Sequence, residues 1–439
     1  MKTLDAWLHL LGATPRTFDY PSMELLSGRD GEPSVFVGRG QVVLNTPNSF
    51  EFTLTGQAFD TADAMRRMKK SRENPYEVFE QFRLIGTDTD GVQWAFGWTT
   101  PRLFDFIEGE WSISGAIQVL STDVQNSTAV SRGSAENIVE LPSSHPMMPI
   151  VGGFTAPVNH GSSQYREHKV SVLDTEINFA FFPQSRQLAI CCSTSSQLSH
   201  PFIENWLTEP FRIMFGQSVY PRLIARNFVT GRAMVSLRPS PGVIRNAGFA
   251  SLWSHYPNKT KEEFWNLYSQ ILTFIASARG PDGSQNFQEN TLTQHYEEIA
   301  QAARGTRWVW ALTLASTIEG QAKMLVRPGT LRPGFDSTEA DDLADHIGKW
   351  SGSLDLKSQA IGAIKSAAFY TATRVLAELR DTGIIEKQEL ESWKSIRNEV
   401  SHGTLISPWS QREEDEKLQH LASLFHKLTI QVLSRSENG

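Results

Sequence analysis

The chain has two cysteines among 439 residues, and they are neighbours, Cys191 and Cys192. Two cysteines build neither a disulfide framework nor a four-ligand zinc site, so a reducing, cytoplasmic setting is expected. Adjacent residues of a strand point to opposite faces, so one thiol should face inward and one outward. No apolar run approaches the roughly 20 residues that cross a bilayer. The N-terminal stretch has no apolar core or small-residue cleavage site of a secretory signal. No membrane partner is therefore expected. Excess positive charge is missing too: 41 Lys and Arg face 48 Asp and Glu, a net charge of −7. That excludes a nucleic-acid binder working by bulk charge. No Gly-rich phosphate loop, nucleophile elbow or metal-ligand cluster is legible, so neither cofactor nor metal is expected. Asn159-His160-Gly161 reads as a loop with no partner cysteine or acidic pair.

What is present is an ordinary globular composition, 40% hydrophobic and 20% charged, in a chain long enough for two or three domains. Residues 35–239 read mostly as strands. Phe50-Glu51-Phe52-Thr53-Leu54-Thr55 alternates with period two, and 82–86 and 94–98 flank the turn Thr89-Asp90-Gly91 as a hairpin. Strand after strand with polar turns predicts an antiparallel, sandwich-like arrangement. One helical insert at 60–70 is basic at its end, with Arg66, Arg67, Lys69 and Lys70. A helix is expected at 200–215. The stretch 220–228, with Arg222 and Arg226 and with Arg232 and Arg238 beyond, reads either as a phosphate or ligand site or as a surface strand with solvated arginines.

Near residue 240 the period changes. Helices at 260–275, behind a Thr260 cap, and at 290–303 form a connector or an extension of the terminal bundle. Helical stretches are then expected at 306–326, 338–350, 354–381, 387–402 and 412–433. Short loops favour an antiparallel bundle. The fold class is α+β. Residues 1–240 form a β-rich domain, 241–303 a helical connector and 304–439 an all-α bundle.

The chemistry sits at the end of the 387–402 helix, in Arg397-Asn398-Glu399-Val400-Ser401-His402-Gly403. Gly403 is placed just past the helix, where positive φ is needed, and His402 at the C-cap. Five residues of straight helix separate two side chains by about 140°. A histidine at the helix end is free to turn back towards Arg397. Guanidinium and imidazole together suit phosphodiester chemistry without a metal: the fork binds phosphate oxygens and the ring moves a proton. The plain alternative is an exposed helix-end histidine beside a salt-bridged arginine. Glu319 lies along the apolar stripe of the 306–326 helix (Trp308, Leu312, Ala315, Ile318, Ala322 and Leu325), where a carboxylate needs a partner. It either orients Arg397 or His402 across the bundle or sits at the seam edge in water.

Arg-Asn-x-x-x-His before a glycine, together with Ala315-Ser316-Thr317-Ile318-Glu319-Gly320-Gln321-Ala322, resembles the HEPN ribonucleases over residues 304–439. The β-rich part ahead of it is similar in arrangement to the ApeA-like, anti-phage branch. The resemblance implies an RNA substrate, a homodimer through the C-terminal bundle and a phage-derived protein or nucleotide trigger sensed by the β-rich part. It implies metal-free attack of the RNA 2′-OH, leaving a 2′,3′-cyclic phosphate. His402 would be base or acid, Arg397 the transition-state clamp, and Asn398 an orienting or phosphate-bonding group. Rival readings are a non-catalytic HEPN-type interaction domain and a nucleotide- or carbohydrate-binding β module with a dimerising bundle. Charge departs from the pattern: residues 301–439 carry 17 Lys and Arg against 18 Asp and Glu.

Overall fold

The computed structural model describes residues 3–12, 14–125, 131–141, 157–160, 163–240, 251–257, 259–280, 282–285, 290–326, 336–367, 369–404 and 406–436. The chain divides into two compact units. One comprises Met1–Arg212, Gln217–Val243 and Asn258–Glu289; the other comprises Ile213–Gly216, Ile244–Pro257 and Asn290–Gly439.

The first unit is built on antiparallel strands, fifteen among the described residues: β1 (Arg16–Ser27), β2 (Phe36–Thr46), β3 (Ser49–Ala58), β4 (Phe82–Thr87), β5 (Gln93–Thr99), β6 (Arg102–Ile107), β7 (Glu110–Ala116), β8 (Leu120–Gln125), β9 (Ser134–Glu140), β10 (Pro157–His160), β11 (Ser163–Val172), β12 (Thr175–Phe182), β13 (Gln187–Ser193), β14 (Pro221–Asn227) and β15 (Arg232–Leu237). They join edge to edge in the order β10-β11-β12-β13-β9-β14-β15-β8-β5-β4-β1-β2-β3-β7-β6. Alternation sets the faces: Phe50, Phe52 and Leu54 of β3 are buried while Glu51 and Thr53 face out. The expected hairpin is β4 and β5, with Gly91 at φ +79 in its turn. Asn159 and His160 lie in β10, not in the expected loop, because Asn159 pairs with Gln164 of β11.

The helices are α1 (Thr61–Glu73), α2 (Ile203–Trp206), α3 (Glu209–Phe215), α4 (Leu252–His255), α5 (Lys261–Ser277), α6 (Thr291–Ala302), α7 (Arg307–Met324), α8 (Ser337–Lys349), α9 (Leu354–Ala367), α10 (Ala372–Asp381), α11 (Lys387–Ser401) and α12 (Arg412–Ser436). Thr260 caps α5 by accepting from Glu263 N, and Phe264, Leu267, Tyr268, Ile271, Leu272 and Ile275, expected as its apolar face, are all buried. This helix belongs to the first unit, where Trp265 stacks on His168 and Tyr268 meets Phe179 edge-on. The other helix expected in a connector, α6, belongs to the second unit.

Two expected helices are each two. The 200–215 stretch is α2 and α3. The 354–381 stretch is α9 and α10, because Thr371 takes extended backbone and caps α10 through its hydroxyl, which accepts from Arg374 N. Of the residues expected to pack there, Val375 and Leu376 are buried, Ile361, Ile364 and Tyr370 are half-buried, and Ala368 lies outside the described residues. No described helix is long and apolar enough to cross a membrane.

Of the arginines expected on this stretch, Arg222 is buried and Arg226 half-buried, while Arg232 on β15 is exposed. Arg222 is 4% exposed and its Nε donates to Glu140 at 3.0 Å. Arg226 Nε donates at 2.8 Å to Glu204, a buried carboxylate that also meets His200. Burial pushes Glu204 up, but the His200 hydrogen bond and the Arg226 charge outweigh it and hold it below the usual carboxylate range. Cys191 is half-buried and Cys192 buried, as alternation requires, and desolvation raises both thiols, to about 11 and about 12.

Glu204→Gln removes the charge that Arg226 and His200 share inside the first unit. Removing one partner of a fully buried ion pair costs about 3–5 kcal/mol, and because Arg226 keeps 22% side-chain exposure a loss of about 3 kcal/mol or less is expected. Urea denaturation of the variant should show a loss of that order in the transition of this unit.

Candidate active site

The second unit packs helices around α12. Leu418, Leu421, Leu424, Phe425, Leu428 and Val432, expected as its apolar face, are all buried. On α7 the buried stripe runs through Ala311, Leu314, Ala315, Ile318 and Ala322 to Leu325. Leu312, expected on that stripe, is exposed, since it lies about 100° of helix turn from Ala311. Trp393 of α11 is buried, and its indole Nε1 donates to the Ala315 carbonyl of α7 at 3.1 Å.

One turn further along both helices the expected site residues meet. Arg397 Nε donates to Glu319 Oε2 at 3.0 Å. Glu319 is half-buried at the seam, and its other oxygen accepts from Lys323 Nζ at 2.9 Å. Hydrogen bonding from Lys323, and then from Arg397, holds the Glu319 carboxyl below the usual carboxylate range against the opposing effect of burial. The Arg397 guanidinium also lies 5.7 Å from the Trp393 ring centroid, a cation–π distance. Only Nε is spent on Glu319, so the two terminal nitrogens keep their donors for a phosphate.

The helix end is built as its glycine requires. Gly403 has φ +75, Gly403 N donates to Val400 O at 3.2 Å and Thr404 N to Glu399 O at 2.9 Å. These two bonds are a Schellman motif. His402 is the C-cap, with its backbone N–H on Asn398 O and its ring exposed. Trp308 Nε1 of α7 donates to Thr404 O at 3.1 Å and ties the segment after the cap to the same helix that carries Glu319. Asn398 is exposed one residue beyond Arg397. Arg397 and Glu319 are thus brought into contact. His402 and Asn398 stand free of that pair on the same helix end, with no side-chain hydrogen bond among the described residues.

Trp393 and Lys323 were not singled out from sequence, and Trp308 was expected only as part of the apolar stripe of α7. The first two carried a signal: each lies four residues from a site residue, Trp393 before Arg397 and Lys323 after Glu319. A third neighbour is His295 of α6, which lies against Gly320. A Cβ at 320 would stand 2.8 Å from the His295 ring, so a larger residue there would displace that ring. Burial pushes His295 down to about 4.

No family model matches this chain. None of the curated proteins and none of the solved structures matches it significantly. The functional reading therefore rests on the residues and their geometry.

Two measurements check this geometry. Glu319 has a depressed folded pKa, so its ion pairs contribute stability above its ordinary value of 4.5 and lose it as pH falls through the folded value. Glu319→Gln should lower stability by about 1 kcal/mol or less at neutral pH, given the exposure of the pair. In melting experiments the gap to the parent should close at acid pH. Gly403→Ala meets no atom within 4 Å, so only backbone strain acts. A loss of about 1–2 kcal/mol is expected in thermal unfolding.

Proposed function

We propose that the helical unit is a metal-independent endoribonuclease of the HEPN type, acting in anti-phage defence and activated through the β-rich unit. The observation that carries the reading is the Arg397–Glu319 pair at 3.0 Å, on the helix whose glycine-capped end carries an exposed His402. Glu319 is a positioning residue in this account: by holding Nε it orients the outer edge of the guanidinium. That edge binds the non-bridging phosphate oxygens and the charge that grows on them during attack. His402 takes the proton from the 2′-OH as that oxygen bonds to phosphorus. The bond to the 5′-oxygen then breaks, leaving a 2′,3′-cyclic phosphate and, once protonated, a 5′-OH. Asn398 donates to a phosphate oxygen. Two protomers pair through the bundle to line one groove, and the cytoplasm supplies the RNA.

A second reading is favoured by one surface. The described residues of α8 include none that is buried, and Leu343, Trp350, Leu354 and Leu356 on α8, α9 and their connection are at least half exposed. Such a surface suits a non-catalytic interaction domain.

Incubating the purified chain with RNA in EDTA decides between them. Arg397→Ala and His402→Ala should each abolish cleavage, with the His402→Ala melting temperature unchanged because that ring is exposed. Product ends should be 2′,3′-cyclic phosphates. Undiminished cleavage in either variant would overturn the enzymatic assignment of these residues.

A further inference from the structure

We infer that the surface formed by α1 and the segment 72–79 of the first unit is a docking site for single-stranded RNA. The inference rests on the ribonuclease reading for the choice of RNA, and it addresses the missing basic groove of the helical unit.

The chain is acidic overall, yet α1 and the segment to residue 79 carry five Lys and Arg against three Asp and Glu, with Asp60 at the N-cap. Ala64, Met68 and Ser71 are the buried face of α1, so the charges are turned outward. Arg67 is the exception. It is spent on Glu32 and Asp63, and both carboxyls lie below the usual range, Glu32 chiefly through its bond to Ser27 and Asp63 chiefly through its bond to Arg67. Arg66 pairs with Asp63, and Lys69 stands 3.7 Å from Glu73. The side chains of Lys70 and Arg72 are exposed and make no hydrogen bond or ion pair among the described residues.

Aromatic rings flank these cations. Residues 72–79 are exposed without interruption, with Tyr76 96% and Phe79 61% exposed, and Phe59 just before α1 is 81% exposed. Single exposed apolar side chains are ordinary; three rings beside a cationic helix are not. Phe79, Lys70, Arg66 and Arg29 share the lining of one cavity of about 160 Å³ with Glu32 and Glu80, which pair with Arg67 and Arg29.

Cations that track phosphates, with rings that stack on bases, are the two components of sequence-tolerant single-strand binding. An anionic membrane would also attract the charge. However, the apolar side of α1 is turned into the protein, so no helical face is left to bed in lipid.

The test uses the full chain with His402→Ala, so that RNA stays intact, and a fluorescein-labelled uridine 20-mer read by anisotropy. The added pair Lys70→Glu and Arg72→Glu should weaken binding at least tenfold and reduce the slope of log affinity against log salt by about 1–2. The added pair Tyr76→Ala and Phe79→Ala should weaken binding about fivefold or more with the slope unchanged. All four side chains are exposed, so melting temperatures should match. Absent binding by the parent, or binding by either variant equal to the parent's, overturns the inference. So does loss of sedimentation with phosphatidylserine vesicles while RNA binding persists. Cleavage by the chain with native His402 is scored separately. Patch-dependent binding without any cleavage sinks the ribonuclease reading and leaves the docking site; cleavage with patch-independent binding does the reverse.

Discussion

The packing of Trp393 on α7 is the constraint on which the candidate site depends. A buried indole must place its N–H, and this one takes the Ala315 carbonyl. That bond fixes the register of α11 on α7. One turn on from each partner stand Arg397 and Glu319, so their 3.0 Å contact follows from the register. The loop bond from Trp308 to Thr404 holds the helix end against the same partner helix. Two indoles and one carboxylate, all anchored on or to α7, thereby frame the Arg-His stretch.

Three carboxylates show how burial divides structural from chemical roles. Glu204 is enclosed and shared between a histidine and an arginine. Glu389 is enclosed in the second unit, where it closes a capping box on Glu386 and meets Ser423 and Lys427. Both are held in place by the fold. Glu319 differs in being half open, so the cation it holds still faces solvent. That combination of a fixed cation and an accessible edge is what phosphate chemistry requires.

Much of this was legible in the sequence, for physical reasons that can be named. Gly403 marked the end of α11 because only the left-handed conformation closes that turn cheaply. The α12 core was legible because six apolar residues repeat at helical spacing. The Glu319 contact was one of two options, since periodicity places a residue on a stripe without saying what faces it. The break at Thr371 is hidden in the sequence because apolar residues continue through it, and the hydroxyl cap competes locally with the helix. The pairing of the β14 arginines is hidden for a related reason. Glu204, the partner of Arg226, is 22 residues away in sequence, and such pairings are not periodic.

The hairpin of α8 and α9 has a different consequence. Helices of this length are marginal in water alone, and most helical stability in proteins comes from tertiary packing. With no described residue of α8 buried, that source is thin here. Its residues are therefore released from the demands that fix Trp393 or Leu421. Substitutions along α8 are answerable to solubility and to whatever touches it from outside, so this is where lineages of the protein can diverge fastest while the rest of the bundle stays the same.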